Sequence, residues 1–268
     1  MSNSGAVNGT NFKGDMVARK TSHRMGLKHV AIVALIATGL AGCGPAPRGS
    51  GINDPYEASN RKTHAFNKQV DSALFRASDE SSKPIGPVGH AIGNIGNNLG
   101  LPSKVLNSVL QGRPEPAIKN TFRFLINSTV GLGGIFDPAG TGLSLPESDT
   151  DFGETLHVWG VGEGAYLELP IIGPSTERDA LGTVVDLLID PLNALDPDPR
   201  LAAKAFRLGA KVETRKQYSA TVDSVLYGSA DSYAQSRLLY LQNRRFELNG
   251  EERNDAAAYD PYDDPTLQ

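Results

Sequence analysis

The chain is poor in cysteine and tryptophan, with one of each, and in methionine, with three, among 268 residues. A single cysteine excludes an internal disulfide. Neither charge dominates, because 26 basic and 30 acidic side chains give a net charge of −4. The sequence has no basic domain or basic patch interleaved with aromatic residues, so nucleic acid is not an expected partner. After residue 43 no run approaches the roughly 20 apolar residues of a membrane-spanning helix.

The one cysteine closes an apolar stretch near the N-terminus. Basic residues, a hydrophobic run from Val30 and the tetrapeptide Leu-Ala-Gly-Cys at 40–43 follow one another, which is the order of a secretory signal. A break at cysteine resembles the lipobox of bacterial lipoproteins, in which the cysteine is acylated and the preceding peptide removed. We predict that residues 1–42 are a signal peptide and that Cys43 carries an acyl anchor. An ordinary signal cleaved nearby and a buried free thiol are the alternatives.

The residues around this signal extend the prediction. The stretch before Met25 is polar and makes the signal longer than the usual length of roughly 15–30 residues, so translation is expected to start at Met25. Several acyl chains hold a protein firmly, since each buried methylene contributes ~0.8 kcal/mol. Gly44 stands where inner-membrane lipoproteins often carry aspartate, which favours the outer membrane, with the protein on its periplasmic side. Residues 43–53 are predicted to be a lipidated tether.

Apolar residues recur at helical spacing through most of the remaining chain, which predicts a mainly α fold that associates with a membrane through amphipathic surfaces. Prolines and glycines predict a loop with at most short helical turns over 78–102 and irregular structure over 131–150. Aromatic, valine and leucine residues predict short extended segments or a hairpin over 152–172. An acidic tail over 251–268 is predicted to be disordered. The predicted helices cover 57–75, 115–129, 179–190, 200–218, 221–228 and 229–246.

Helix 200–218 carries a row of cations beside an apolar stripe. Such a row is typical of helices that lie on anionic membrane surfaces, and also of an ordinary solvated helix face. Both interpretations stay open from the sequence. The row consists of Arg200, Lys204, Arg207, Lys211 and Arg215, and the stripe of Leu201, Ala205, Leu208 and Val212.

Motifs that could carry metal or catalytic chemistry are weak. Glu154 and His157 have the spacing of half a di-iron carboxylate site, but such sites need that motif twice. The glycines at 131–134 lack the Lys-Ser/Thr of a phosphate loop. We therefore predict no metal site, no catalytic residues and no cofactor besides the covalent acyl anchor. Trp159 is expected in the core rather than at a membrane interface.

Several sequence blocks, in order over 53–250, resemble the MlaA (VacJ) lipoproteins. That resemblance defines a predicted helical domain over 54–250. The segment 76–97 departs from the family, which usually has a helical segment with Tyr and Val there. The matching blocks include Asn53-Asp54-Pro55-Tyr56-Glu57, Phe66-Asn67, Leu110-Gln111-Gly112, Arg123-Phe124-Leu125-Ile126-Asn127-Ser128-Thr129, Asp151-Phe152-Gly153-Glu154-Thr155-Leu156, Leu169-Pro170-Ile171-Ile172-Gly173-Pro174-Ser175, Arg178-Asp179 and Asp190-Pro191.

The resemblance implies a ring of amphipathic helices in the inner leaflet of a Gram-negative outer membrane, bound to a porin trimer and enclosing a channel. Phospholipids misplaced in the outer leaflet would pass through it to a soluble periplasmic lipid carrier of the Mla system, which maintains lipid asymmetry. The implied mechanism needs no covalent chemistry. A route that is polar on one side and apolar on the other lowers the free energy of moving a charged head group through hydrocarbon.

Two groups of residues are predicted to meet the lipid. The resemblance places the Phe66–Asn67 pair in a gating region, with Phe66 as a plain core residue the alternative. Gly162, Gly164 and Tyr166 are predicted to line the channel, because glycines let backbone approach an acyl chain and Tyr166 lies on the polar side of an alternating segment.

Two other classes of function are alternatives. A structural lipoprotein could bind porins or other envelope proteins without moving lipid. A hydrolase or acyltransferase acting on phospholipid would need a serine, a histidine and an acid within hydrogen-bond reach, and no sequence motif indicates them.

Overall fold

The computed structural model describes residues 52–76 and 86–256. The predicted signal peptide, Cys43, most of the tether and residues 257–268 lie outside the described residues.

The described chain is mainly α with one antiparallel hairpin, which confirms the predicted fold class. None of the described helices combines the length and the apolar character needed to cross a bilayer. A 3₁₀ turn at Pro191–Ala194 connects the helix that ends at Ile189 to the helix that begins at Pro197. The helices are α1 (Glu57–Phe75), α2 (Pro87–Leu110), α3 (Pro114–Thr129), α4 (Pro138–Thr141), α5 (Phe152–Val158), α6 (Glu177–Ile189), α7 (Pro197–Gln217), α8 (Ser219–Gly228) and α9 (Ser232–Ala256), and the strands are β1 (Tyr166–Leu169) and β2 (Gly173–Thr176).

The loop predicted over 78–102 is wrong, because α2 occupies most of that segment. Gly93 and Gly96 serve packing against α7 rather than a turn. A Cβ built on Gly96 would overlap the carbonyl oxygen of Phe206 on α7, so only glycine allows α2 and α7 to lie this close. Contact between the helices thus outweighs the weak helix propensity of glycine.

The structure also differs from the prediction at the start of the segment 152–172, which the sequence predicts to be extended. Phe152–Val158 forms α5, and Asp151 caps it by accepting the Glu154 N–H at 2.8 Å. Asp followed three residues later by Glu is a capping signature that the extended interpretation overlooked. The hairpin begins within this segment and ends beyond it. Strand β1 lies inside 152–172, whereas β2 starts at Gly173, and Tyr166 pairs with Thr176.

Helix α9 runs to Ala256, so the prediction that the chain is disordered from 251 is wrong over its first residues. Tyr233, Leu241 and Leu248 on α9 are buried, at spacings of two helical turns. The contact of Leu248 lies past the predicted end at 246, so the packed part of the helix is longer than predicted.

Two small apolar clusters hold the elements together. Phe152, Leu156 and Val185 pack between α5 and α6. Tyr166 of β1 packs with Tyr233 and Leu241 of α9. Much of the remaining buried surface is polar, so hydrogen bonds position the elements as much as apolar contacts do.

Candidate functional site

Helix α3 is amphipathic with its polar side inward. Its buried positions include Asn120, Arg123 and Asn127. Ile118 and Phe122 on the other side are each 56% exposed. A helix in water normally turns its apolar stripe to the core. This arrangement therefore suits a helix whose outer face meets an apolar medium.

Arg123, the buried cation of α3, has a carboxylate partner. Arg123 Nη2 lies 3.0 Å from Asp137 Oδ2, and Asn127 donates to Asp137 at 2.7 Å. Burial by itself would raise the pKa of Asp137, but hydrogen bonds from the Gly140 N–H, Asn127 and Arg123 lower it. The aspartate is therefore held ionised, which the buried arginine requires.

A hydrogen-bonded clamp joins α1 to the hairpin. Asn60 donates to the Tyr166 carbonyl at 3.1 Å and accepts the Glu168 N–H at 3.0 Å. The side-chain amide thus pairs with β1 as a neighbouring strand would. It protects the backbone of an edge strand with a single residue.

Asn67 repeats this clamp two turns further along α1. It donates to the Leu169 carbonyl at 2.9 Å and accepts the Ile171 N–H at 2.7 Å. Phe66 lies on another side of α1 and is 47% exposed, so the core interpretation of Phe66 is not supported. Asn67 is an anchor of the hairpin, and the structure does not bring the two predicted residues to one site.

The three predicted channel residues differ in their surroundings. Gly162 is exposed, and a Cβ built on it would meet no atom within 4 Å. Gly164 has a φ of +74°, and a Cβ there would lie 2.6 Å from a carboxylate oxygen of Glu177. Gly162 therefore tolerates a side chain, whereas Gly164 serves a turn that favours glycine.

The prediction that Tyr166 lines a channel wall is wrong, because its side chain is 1% exposed. Successive side chains of β1 alternate between two faces, as predicted, but the face expected to be open to the channel is the buried one. Tyr166 and Glu168 are buried, and the two leucines of the strand are half-buried. Tyr166 donates to Glu168 Oε2 at 2.5 Å. Burial and this carboxylate raise the pKa of Tyr166, so the phenol stays neutral and keeps donating.

The five predicted cations of α7 do not form one free basic face. Arg215 binds Asp71 through two hydrogen bonds of 2.7 and 2.8 Å and also binds Asp223 at 2.6 Å. Arg207 pairs with Asp190. These two arginines join α7 to α1, α8 and the end of α6. The remaining three are Arg200, which lies 3.5 Å from the Asn193 carbonyl, half-buried Lys204 and exposed Lys211.

The apolar stripe of α7 points outward, as that of α3 does. Leu201 is 72% exposed and Leu208 61% exposed, while Ala203 and Ala210 are buried and Ala210 lies beside Gly96 of α2. Two separate helices thus present large aliphatic side chains to the surroundings.

Trp159 also lies at the surface, so the prediction that it belongs to the core is wrong. It is 55% exposed, and its indole N–H donates to the Leu110 carbonyl at 3.2 Å. Its ring meets Phe152 edge-on at 5.6 Å. A half-exposed indole with a satisfied N–H is typical of a water–membrane boundary.

A polar cleft of about 300 Å³ lies beside α6, α9 and β2, and Asp151, Asp179, Tyr240 and Arg244 are among its lining residues. Arg244 binds Asp151 at 2.7 Å and Asp179 at 3.2 Å. Burial alone would raise the pKa of Asp179, but Arg244 and Arg178 lower it. The charges in the cleft compensate one another, which suits a structural joint between the hairpin, α6 and α9.

Sequence reasoning found the motif blocks but not the role of their polar residues. Asn60, Asn67, Arg123, Asn127 and Asp179 all come from those blocks or adjoin them and all serve the polar interior. The sequence does contain a signal for this role, because Asn60 and Asn67 are seven residues apart and therefore share one face of a helix.

A model of the MlaA lipoprotein family matches residues 52–247. The Escherichia coli K12 protein named intermembrane phospholipid transport system lipoprotein MlaA is 33% identical over 83% of this chain and 90% of its own length. The Haemophilus influenzae protein of that name is 30% identical over 81% and 87%. A solved structure concerned with the structural basis for maintenance of bacterial outer membrane lipid asymmetry aligns with a TM-score of 0.60 at 33% identity, covering 73% of this chain and 99% of that one.

Proposed function

Because this chain belongs to the MlaA lipoprotein family, we propose that it forms a channel that removes misplaced phospholipids from the outer leaflet of the outer membrane. The lipids pass to a periplasmic carrier, and lipid asymmetry is maintained. The protein is held by an acyl anchor at Cys43 and associates with a porin trimer.

The observation that carries this proposal is the inverted amphipathicity of α3. Ile118, Phe122 and Leu125 are more than half exposed, while the asparagines and the arginine of the helix are buried. Apolar surface left in water costs about 25 cal/mol per Å². A leaflet removes that cost without a spanning helix, because the outer apolar faces of α3 and α7 then lie against acyl chains.

A polar interior beside an apolar exterior supports a physical transport mechanism. Moving a charged head group through hydrocarbon is unfavourable unless polar groups or water accompany it. Helices in a ring, with polar groups facing the lumen and apolar faces toward the leaflet, supply that path. No bond is made or broken in this step.

Gly162 offers a test of the path. We expect Gly162→Leu to fold normally, because a side chain there meets open space, and to obstruct lipid passage. Cells lacking the chain would be complemented with the wild type, with Gly162→Leu, and with Gly86→Leu as a control at another unobstructed glycine. Phospholipid at the cell surface and sensitivity to detergent should rise with Gly162→Leu and stay at the wild-type level with Gly86→Leu.

Phe66 tests the gate separately. Phe66→Ala should shift surface phospholipid while changing the melting temperature little, since the ring is half exposed. Phe246→Ala, at a more exposed phenylalanine of α9, is the matched control.

If Gly162→Leu transports normally and the protein remains bound to the porin, the segment around Gly162 is only a structural hairpin and the channel wall comes from helices α1 and α6 instead. If deletion of the whole chain leaves surface phospholipid unchanged, the protein is a structural envelope lipoprotein. Identifying the proteins and lipids that co-purify with it from membranes tests the porin and the carrier as partners.

A further inference from the structure

Three side chains from separate elements meet in one hydrogen-bonded row. His64 of α1 lies with Nε2 3.1 Å from Ser232 Oγ at the start of α9, and with Nδ1 3.2 Å from Glu168 Oε1 on β1. We propose that Ser232, His64 and Glu168 form a nucleophile, base and acid that cleave carboxylic esters. The acyl ester of a phospholipid is the candidate substrate, and that choice rests on the proposed function.

The hydrogen-bond network assigns the tautomer that such a site needs. The other side-chain partners of the Glu168 carboxyl are donors, the Tyr166 hydroxyl at 2.5 Å and Asn67 Nδ2 at 3.2 Å. A carboxylate that accepts from both also accepts from His64, so Nδ1 carries the proton. The Nε2 lone pair then faces the hydroxyl of Ser232, as a general base requires.

The base and the nucleophile differ in their exposure to solvent. His64 and Glu168 are each 5% exposed, whereas Ser232 is half-buried. The ring of Tyr233 meets the imidazole edge-on at 5.7 Å and restricts its rotation. The acid and base are thus held in place away from water, and the hydroxyl remains within reach of a substrate.

A cation that is paired with two carboxylates, Glu57 at 2.8 Å and Asp231 at 2.9 Å, lies beside the serine. Arg61 contacts both neighbours of Ser232, since it pairs with Asp231 at 2.9 Å and lies 4.5 Å from the ring centroid of Tyr233. The Asp231 side chain accepts the Ala234 N–H, so the first turn of α9 is already partly satisfied. Because Arg61 is 42% exposed, it can exchange one of its carboxylate partners for an oxyanion or a nearby phosphate.

The reaction balances with water as the second reactant. Ser232 Oγ bonds to the ester carbonyl carbon while its proton moves to His64 Nε2. The bond to the glyceryl oxygen then breaks, and that oxygen takes the proton from His64, giving a lysophospholipid and an acylated serine. Water repeats the sequence, releases a fatty acid and restores the Ser232 hydroxyl.

Labelling of the full-length protein in detergent with a fluorophosphonate probe tests the nucleophile without any lipid. Peptide mass mapping should locate the probe on Ser232. Ser219 is the matched control, because it is the first residue of α8 as Ser232 is of α9, and it should stay unlabelled. Absence of label from Ser232 in the folded wild-type protein would overturn the proposal and leave transport untouched.

Variants separate catalysis from structure. Ser232→Ala should abolish hydrolysis of a p-nitrophenyl ester and of vesicle phosphatidylethanolamine, and His64→Gln should slow it on the order of 10²-fold or more, while Ser219→Ala keeps the wild-type rate. Glu168→Gln should lower kcat with KM unchanged, as expected of a positioning residue. Hydrolysis that persists in Ser232→Ala would mean that this row is only a structural link. Hydrolysis of the soluble ester alone would remove the phospholipid assignment.

Discussion

At the scale of the residue, asparagine side chains make hydrogen bonds to a strand that the backbone of a neighbouring strand makes in larger sheets. Asn60 and Asn67 occupy hydrogen-bonding positions along β1 that a third strand would otherwise fill. A two-stranded hairpin alone is marginally stable in water. The clamp therefore determines where the hairpin stands against α1.

Asn67→Ala tests the clamp. The variant loses three hydrogen bonds to the hairpin, those with the Leu169 carbonyl, the Ile171 N–H and the Glu168 carboxyl. A net loss of about 1–3 kcal/mol in the free energy of unfolding is expected. Gln69→Ala, at an exposed position of the same helix, should change stability by less than about 0.5 kcal/mol. Chemical denaturation in detergent measures both. Equal stability of the two variants would show that the clamp adds nothing.

Asp179 predicts a specific response to pH. Its pKa is lowered in the folded protein, so its contribution to stability is full above the ordinary value near 4 and is lost as the pH falls through the folded value. Asp179→Asn should lower the melting temperature at pH 7, because it leaves Arg178 and Arg244 without their shared carboxylate. The difference in melting temperature between the wild type and Asp179→Asn should narrow as the pH approaches 2.

The control for that measurement is Asp198→Asn, at an exposed position of α7. Its melting curve should follow the wild type at every pH. A gap between wild type and Asp179→Asn that stays constant from pH 7 to 2 would contradict the lowered pKa.

At the scale of the element, close approach decides which segments are helical. Helices α2 and α7 pack with Gly96 facing the backbone of α7 and Ala210 beside it. Small residues at such a contact bring two helix axes together and allow extensive van der Waals contact. A sequence of glycines that reads as a loop in isolation thus becomes one half of a helix pair.

Two glycines of α2 should respond to alanine in opposite directions. Gly96→Ala forces a methyl group against the Phe206 carbonyl, and a loss of about 1–3 kcal/mol is expected. Gly100→Ala places its methyl group where no atom lies within 4 Å, and a gain of roughly 0.5–1 kcal/mol is expected from helix propensity. Thermal melts of both variants compare them directly. A loss of stability in both would mean that the contact with α7 is not what selects glycine at 96.

At the scale of the whole molecule, the outward apolar faces and the predicted acyl anchor both favour attachment to a membrane. The described helices offer surface contact with a leaflet, and acyl chains at Cys43 would hold the protein there. Cys43→Ala should therefore abolish labelling with radioactive palmitate and release the protein from the outer-membrane fraction. Persistent acylation, or an unchanged membrane fraction, would contradict the anchor.

The sequence by itself determined most helices, the hairpin and the family. Helices such as 57–75 could be predicted because apolar residues repeat at 3.6-residue spacing and because proline or glycine stands near their ends. The resemblance could be found because its blocks keep their order along the chain. These signals are local, so each can be read within one segment.

Only the tertiary structure decided which face of each helix points inward. A periodic pattern has the same spacing whether the stripe meets a core or a lipid, so α3 and α7 could not be oriented from sequence, and β1 was oriented wrongly. Helix α2 depends on α7, more than 100 positions away. The meeting of His64, Glu168 and Ser232 likewise depends on how α1, β1 and α9 pack, because no local signal links residues so far apart in the chain.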